Sequence, residues 1–121
     1  MADLSIILID DDEDMERIFE MVTAHLSYDL HVFKSAEKAL EYLQDHRPAV
    51  IVMDIILPGM DGYQAIERIR RAGLAPDTML VGITAYYAEG TEAQVRAHGF
   101  DAYLPKPLDI DKLINLILQA A

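Results

Sequence analysis

The chain has 121 residues, 52% of them hydrophobic, with 21 acidic against 10 basic residues and a formal net charge of -11. That length and apolar content suit one domain with an ordinary soluble core, and the acidic balance disfavours direct binding to nucleic acid or anionic membranes, whose phosphates need a basic surface. With no cysteine, disulfides, thiolate metal sites and sulfur redox chemistry are excluded.

Asp3 and Asp10 bracket only a short apolar run, so no signal-peptide pattern opens the chain, and no segment approaches membrane-spanning length. The expectation is a cytoplasmic protein with no membrane partner, a single domain over residues 1–121 and no output domain in this chain.

Ser5–Ile9 is a β-branched apolar run that predicts a strand, and it stops at the acidic series Asp10, Asp11, Asp12, Glu13 and Asp14. These acids suit the N-cap and first turn of a helix in which Met15, Ile18, Phe19, Val22 and Leu26 form one apolar stripe. Leu30–Phe33 is a weaker strand. Ser35 then caps a helix with Ala36, Ala39, Leu40 and Leu43 facing inward, and Pro48 marks the end of the loop that follows.

The run from Val50 to Met53 is apolar at every position, which predicts a strand buried on both faces, and it ends on Asp54. Pro58–Gly59 and Asp61–Gly62 are turn residues before a helix with Ile66 and Ile69 inside, closed by Gly73 and Pro76. Met79–Ile83 predicts another buried strand, ending on Thr84 and Ala85. A helix with a poor apolar stripe is expected from about Thr91 to His98, stopped by Gly99, and should be mobile. Ala102–Leu104 is a short strand broken by Lys106–Pro107, and Ile110, Leu113, Ile114 and Ile117 give a clean amphipathic helix.

Five strands alternating with five helices imply a doubly wound α/β sandwich, a parallel sheet with helices on both faces and flavodoxin-like connectivity. Every strand-to-helix loop of such a sheet opens on one edge, which brings Asp10, Asp11, Asp54, Thr84 and Lys106 to a common rim. Taken alone, Asp54 reads equally well as a residue that ends a strand and turns the chain. The convergence favours a reactive role. Three crowded carboxylates repel one another, and a hard divalent cation, magnesium or manganese, relieves that conflict. A lysine and a hydroxyl beside it supply donors for an incoming phosphoryl group, for which an aspartate is a competent acceptor.

At these positions the chain resembles the receiver domains of bacterial two-component response regulators. The resemblance rests on the acidic pair Asp10–Asp11 after the first strand, the segment Asp54-Ile55-Ile56-Leu57-Pro58 running on to Asp61–Gly62, Thr84–Ala85 after the fourth strand and Lys106–Pro107 after the fifth. It covers essentially the whole chain. It implies that Asp54 is the phosphoacceptor, that Asp11, Asp54 and the backbone carbonyl of Ile56 ligate magnesium, and that Asp10 does so through water. Thr84, the backbone N–H of Ala85 and Lys106 would bind the phosphoryl group. Tyr103 is similar to the family's switch aromatic, paired with Thr84, although by position alone it reads as a half-buried strand tyrosine. The Lys106–Pro107 peptide is cis in the resembled family.

Ile56 and Tyr86, two residues beyond Asp54 and Thr84, correspond to variable family positions flanking the route of attacking water. Both are bulky, so slow autodephosphorylation is expected. The partners implied are a sensor histidine kinase or histidine phosphotransfer protein, and a downstream protein or an output domain absent from this chain. The output surface is expected on the fourth helix, last strand and last helix, with Leu116 and Leu118 a candidate surface for a partner or a phosphorylation-dependent homodimer.

Two other readings use the same acids. Asp10-Asp11-Asp12 fits the opening of aspartate-nucleophile phosphatases of the haloacid dehalogenase type, with Asp10 as nucleophile. Against it, Asp14 replaces the usual threonine or valine, no cap domain fits in this length and the late acidic pair is missing. A calcium loop on Asp10, Asp12 and Asp14 fails because Met15 replaces the turn glycine and Met21 the bidentate glutamate. A receiver-like scaffold that works without phosphorylation is a third class, and the complete set of site residues argues against it. His25, His31, His46 and His98 lack ligand spacing and read as surface or boundary residues.

Overall fold

A computed structural model describes residues 3–86 and 88–120. Ten elements alternate: β1 (Asp3–Ile9), α1 (Glu13–Leu26), β2 (Asp29–Phe33), α2 (Ala36–Tyr42), β3 (Pro48–Asp54), α3 (Gly62–Arg71), β4 (Met79–Thr84), α4 (Thr91–Ala97), β5 (Ala102–Pro105) and α5 (Ile110–Ala120). All pairings are parallel, in the order β2-β1-β3-β4-β5. This is the doubly wound architecture expected from the alternation, with its order reversing between β1 and β3, where ligands of such sheets bind.

Helices cover both faces, so the central strands are apolar throughout. Ile51 and Met53 of β3 pack toward α2, α3 and α4, while Val50 and Val52 pack toward α1 and α5. Met15, Phe19 and Val22 supply the α1 stripe, and Leu113 and Ile117 that of α5. Leu116 is half-buried against that second core, whereas Leu118 is 52% exposed. The acids after β1 divide their work: Asp12 is the N-cap of α1, accepting from the Asp14 N–H at 2.9 Å, and Glu13, Asp14 and Glu16 occupy its first turn, where the positive helix end favours them.

The turn residues Asp61 and Gly62 have a more specific place than punctuation. Asp61 is the N-cap of α3 and forms a reciprocal capping box with Gln64, so Gly62 is the first helical residue. Gly62 is buried against β3, and a β-carbon there would lie 2.7 Å from Ile55 Cα and 3.0 Å from the Asp54 carbonyl oxygen. Only glycine lets this helix start so close to the strand end. By contrast α4 has seven residues, and Val95 alone among them is buried.

Candidate functional site

Four of the strand ends meet on one rim. Asp10 follows β1, Asp54 ends β3, Thr84 ends β4, and Lys106 follows β5. One local device recurs at three of them. The Asp10 carboxylate accepts the Asp12 N–H at 3.0 Å, Asp54 accepts the Ile56 N–H at 2.9 Å, and the Thr84 hydroxyl accepts the Tyr86 N–H at 3.0 Å. Each is a side chain closing on the amide two residues on, the turn that Asp and Thr favour. The device fixes each functional side chain and the direction of the loop that leaves it.

Lys106 draws the group together. Its ammonium donates to Asp54 Oδ2 at 2.8 Å and lies 2.9 Å from Asp10 Oδ2. The peptide that follows it, Lys106–Pro107, is cis. Asp10 is 1% exposed and Asp54 7%, while Asp11 stands exposed at the mouth. Ligand oxygens of Asp10, Asp11 and Asp54 lie within 4.8 Å of one another.

The electrostatics follow from that crowding. Burial pushes the Asp10 carboxyl above its ordinary value, and the opposing hydrogen bonds from Lys106 and the Asp12 N–H do not cancel it, with the Asp54 charge adding to the rise. For Lys106, burial pulls its pKa down, but the bonds to Asp54 and Asp10 outweigh burial and hold the ammonium above its usual range. Three carboxylates against one ammonium leave two negative charges in excess when all are ionised. An opposite divalent charge fits that excess, and the donor set is all oxygen, as magnesium and manganese prefer.

The remaining predicted residues sit around this centre. Ala85 and Tyr86 begin the loop beyond Thr84, with Tyr86 77% exposed, and Ile56, at 55% exposed, stands on the rim beside Asp54. Tyr103 lies further along β5, half-buried, where it lines an open cleft of about 550 Å³ with Thr91, Ala93 and Arg96 of α4. The four histidines are exposed and outside the site: His46 stacks on Tyr42 at 3.8 Å and His98 on Tyr63 at 3.7 Å between ring centres.

The phosphatase reading is not favoured by this geometry. A nucleophilic Asp10 would need access, yet one of its oxygens faces the Asp12 amide and the other pairs with Lys106, both out of solvent. Asp54 is the less enclosed of the two. Sequence reasoning missed Gly62 as a positioning residue at the end of β3, and it missed the close approach of neighbouring side chains to Gly82 in the middle of β4. An Asp-x-x-Gln cap pattern was available for the first, and a lone glycine inside a buried strand, often a mark of close approach, for the second.

Known proteins give a consistent frame. A model of the response regulator receiver domain matches residues 6–118. An uncharacterized 14.6 kDa protein of Leptolyngbya boryana is 30% identical over 98% of this chain and 91% of its own length. The response regulator Rre1 of Synechocystis sp. is 33% identical over 94% of this chain, which spans only 50% of Rre1. Among solved structures, the receiver domain of the sensor histidine kinase PA1611 from Pseudomonas aeruginosa, described with magnesium coordinated in its active-site cleft, superposes with a TM-score of 0.85 at 24% identity, covering 98% and 97% of the two chains.

Proposed function

The chain belongs to the response regulator receiver domain family, a family of signalling domains, and on that premise we propose that Asp54 accepts a phosphoryl group from a phosphohistidine donor. The donor is a sensor histidine kinase or a histidine phosphotransfer protein. A carboxylate oxygen of Asp54 bonds to phosphorus as the phosphorus–nitrogen bond of the donor breaks, and the imidazole leaves with a proton on its ring nitrogen. The product is an acyl phosphate. Its hydrolysis, with water attacking phosphorus, releases inorganic phosphate and restores the carboxylate.

Lys106 and the Thr84 hydroxyl are the donors for the phosphoryl oxygens, with the Ala85 N–H beside them. Lys106 already stands at the acceptor, and the Thr84 oxygen, used as an acceptor by Tyr86, keeps its O–H to donate. The three carboxylates fit a divalent cation by their oxygen chemistry and excess charge. Asp11, Asp54 and the Ile56 carbonyl would hold it directly, and Asp10 through water. When bound, magnesium or manganese supplies charge neutralisation and alignment of the phosphoryl oxygens. The magnesium described in the PA1611 receiver domain supports this assignment.

Phosphorylation then shifts a conformational population. Thr84 moves toward the phosphoryl group, Tyr103 turns inward into the space beside α4, and the surface formed by α4, β5 and α5 changes for a downstream protein or an output domain. The exposed Leu118, together with the half-buried Leu116, is the place on α5 for a homodimer contact. Ile56 and Tyr86 limit the approach of water and lengthen the life of the acyl phosphate.

The observation that carries the reading is Lys106 bridging Asp54 and Asp10 at 2.8 and 2.9 Å, beside a third carboxylate and a hydroxyl. Incubation with acetyl phosphate and magnesium tests it by intact mass. Gain of one phosphoryl group, lost in Asp54→Asn, is the expected result. Loss only in Asp10→Asn returns the site to the phosphatase chemistry, and no gain in any variant leaves a scaffold that works without phosphorylation.

A further inference from the structure

In the middle of β4, Gly82 leaves a gap that the neighbouring elements fill. Gly82 lies on the same face of the strand as Thr84, two residues on. A β-carbon at Gly82 would meet Val95 Cγ1 at 2.9 Å, Ile55 Cδ1 at 3.0 Å and Phe100 Cδ1 at 3.4 Å. Three apolar side chains thus converge on the space of one missing methyl group. Val95 comes from α4 and is fully buried, while Ile55 is the residue that follows Asp54.

The two ends of this contact differ in how firmly they are held. Ile55 is pinned through its backbone, since its N–H donates to the Ile83 carbonyl at 2.9 Å and its carbonyl accepts the Gly62 N–H at 2.8 Å. The α4 end is fastened mainly by exposed side chains, with Arg96 donating to the Asp101 carbonyl at 2.7 Å and the adjoining His98 stacked on Tyr63. The N-cap of α4, Gly90, offers no side-chain bond, and Val95 is the one residue of the helix buried in the core. Ile55 Cδ1 is the far end of a flexible side chain and can rotate aside. Val95 is β-branched, with one strongly preferred rotamer in a helix, so displacement of its methyl moves the helix with it.

We propose that Val95, seated in the Gly82 notch against Ile55, is the contact that couples the position of α4 to the acceptor end of β3. The coupling rests on the reading of Asp54 as phosphoacceptor. A Thr84 drawn toward a phosphoryl group moves β4 two residues from the notch, on the same face, and Val95 carries that change into α4. The route runs through packed side chains at the base of the helix and is separate from any rotation of Tyr103.

Compensating volume tests this. Gly82→Ala fills the notch, Val95→Ala empties its occupant, and the double variant exchanges one for the other. Amide hydrogen exchange is followed in the unphosphorylated full chain, with the α4 amides compared against those of β1. Gly82→Ala is expected to speed exchange in α4 by about tenfold relative to β1, and the double variant to return within about threefold of the parent. An α4 rate unmoved by Gly82→Ala, or a double variant no closer to the parent than Gly82→Ala alone, overturns the seat. Acetyl phosphate is then added. The parent is expected to change its α4 exchange on phosphorylation and Gly82→Ala to change less, and equal changes in both overturn the coupling. Absence of label on the parent overturns the coupling together with the phosphoacceptor reading, while the seat is still judged by the exchange of the unphosphorylated variants.

Discussion

Lys106 donates to Asp54 at 2.8 Å across 52 residues of chain, so the end of β5 is tied to the end of β3 through the carboxylate proposed to accept a phosphoryl group. The same ammonium neutralises the buried Asp10. A single side chain therefore joins two of the site's carboxylates, and on the proposed function it changes partners when a phosphoryl group arrives.

Removing that side chain leaves Asp10 buried without a counter-charge. Lys106→Met is expected to destabilise the metal-free protein by about 3 kcal/mol, the scale for breaking one partner of a buried pair. Urea unfolding measured in chelator and in excess magnesium checks it, with magnesium recovering part of the loss. An unchanged midpoint in chelator would contradict the shared-lysine account.

The raised pKa of Asp10 gives a pH signature. A folded-state pKa above the unfolded value means that the native protein holds this proton more tightly, so its contribution falls as pH rises past the ordinary carboxylate value of 3.8 and through the raised one. At neutral pH the ionised, desolvated Asp10 is a net cost. Asp10→Asn should therefore unfold at a higher temperature than the parent in chelator at pH 7, with the advantage shrinking as pH is lowered. Magnesium should raise the parent's Tm more than the variant's. Thermal unfolding from pH 4 to 7 reads both effects.

Gly62→Ala places a methyl group where the backbone of Ile55 already lies, 2.7 Å from its Cα. No rotamer relieves a clash with backbone, so α3 must move from the end of β3. The expected cost is about 2 kcal/mol, within the range for overpacking. Slower labelling of Asp54 by acetyl phosphate should accompany it, because the Asp54–Ile55 peptide is part of the surface displaced. Gly73→Ala is the control, since its β-carbon would meet nothing within 4 Å although its positive φ adds its own strain.

The rim residues Ile56 and Tyr86 are proposed to bear on lifetime rather than on labelling. Ile56 and Tyr86 are exposed, yet each is tied by its amide to a side chain of the rim, Asp54 and Thr84 respectively. Ile56→Asn with Tyr86→Glu keeps both amides and replaces the apolar walls by groups that can orient water. Dephosphorylation is expected to quicken by about tenfold, equivalent to about 1.4 kcal/mol in the barrier. The decay of phosphorylated protein after removal of donor measures it, and an unaltered half-life sinks the assignment.

Much of this arrangement was legible in sequence because its parts are local. Strand, turn and helix alternate with clear periodicity, and the topology of a parallel sheet then forces Asp10, Asp54, Thr84 and Lys106 onto one edge. What stayed hidden is tertiary. The Asp61–Gln64 capping pattern marks the helix start at Gly62 but not that Ile55 will lie against it, and the size match among Gly82, Val95 and Phe100 exists only once α4 is folded onto β4. Leu116 shows the limit of a helical stripe, since it lies off the α5 pattern yet is half-buried against the core shared with α1.

The turns that close Asp10, Asp54 and Thr84 onto the amides two residues ahead have a consequence for how such a site can vary. Each ring is completed within its own loop and borrows nothing from its neighbours. Residues beyond each ring thus lie outside the bonds that turn Asp10, Asp54 and Thr84 toward the rim, and exchanging them one loop at a time is expected to leave those three turns intact.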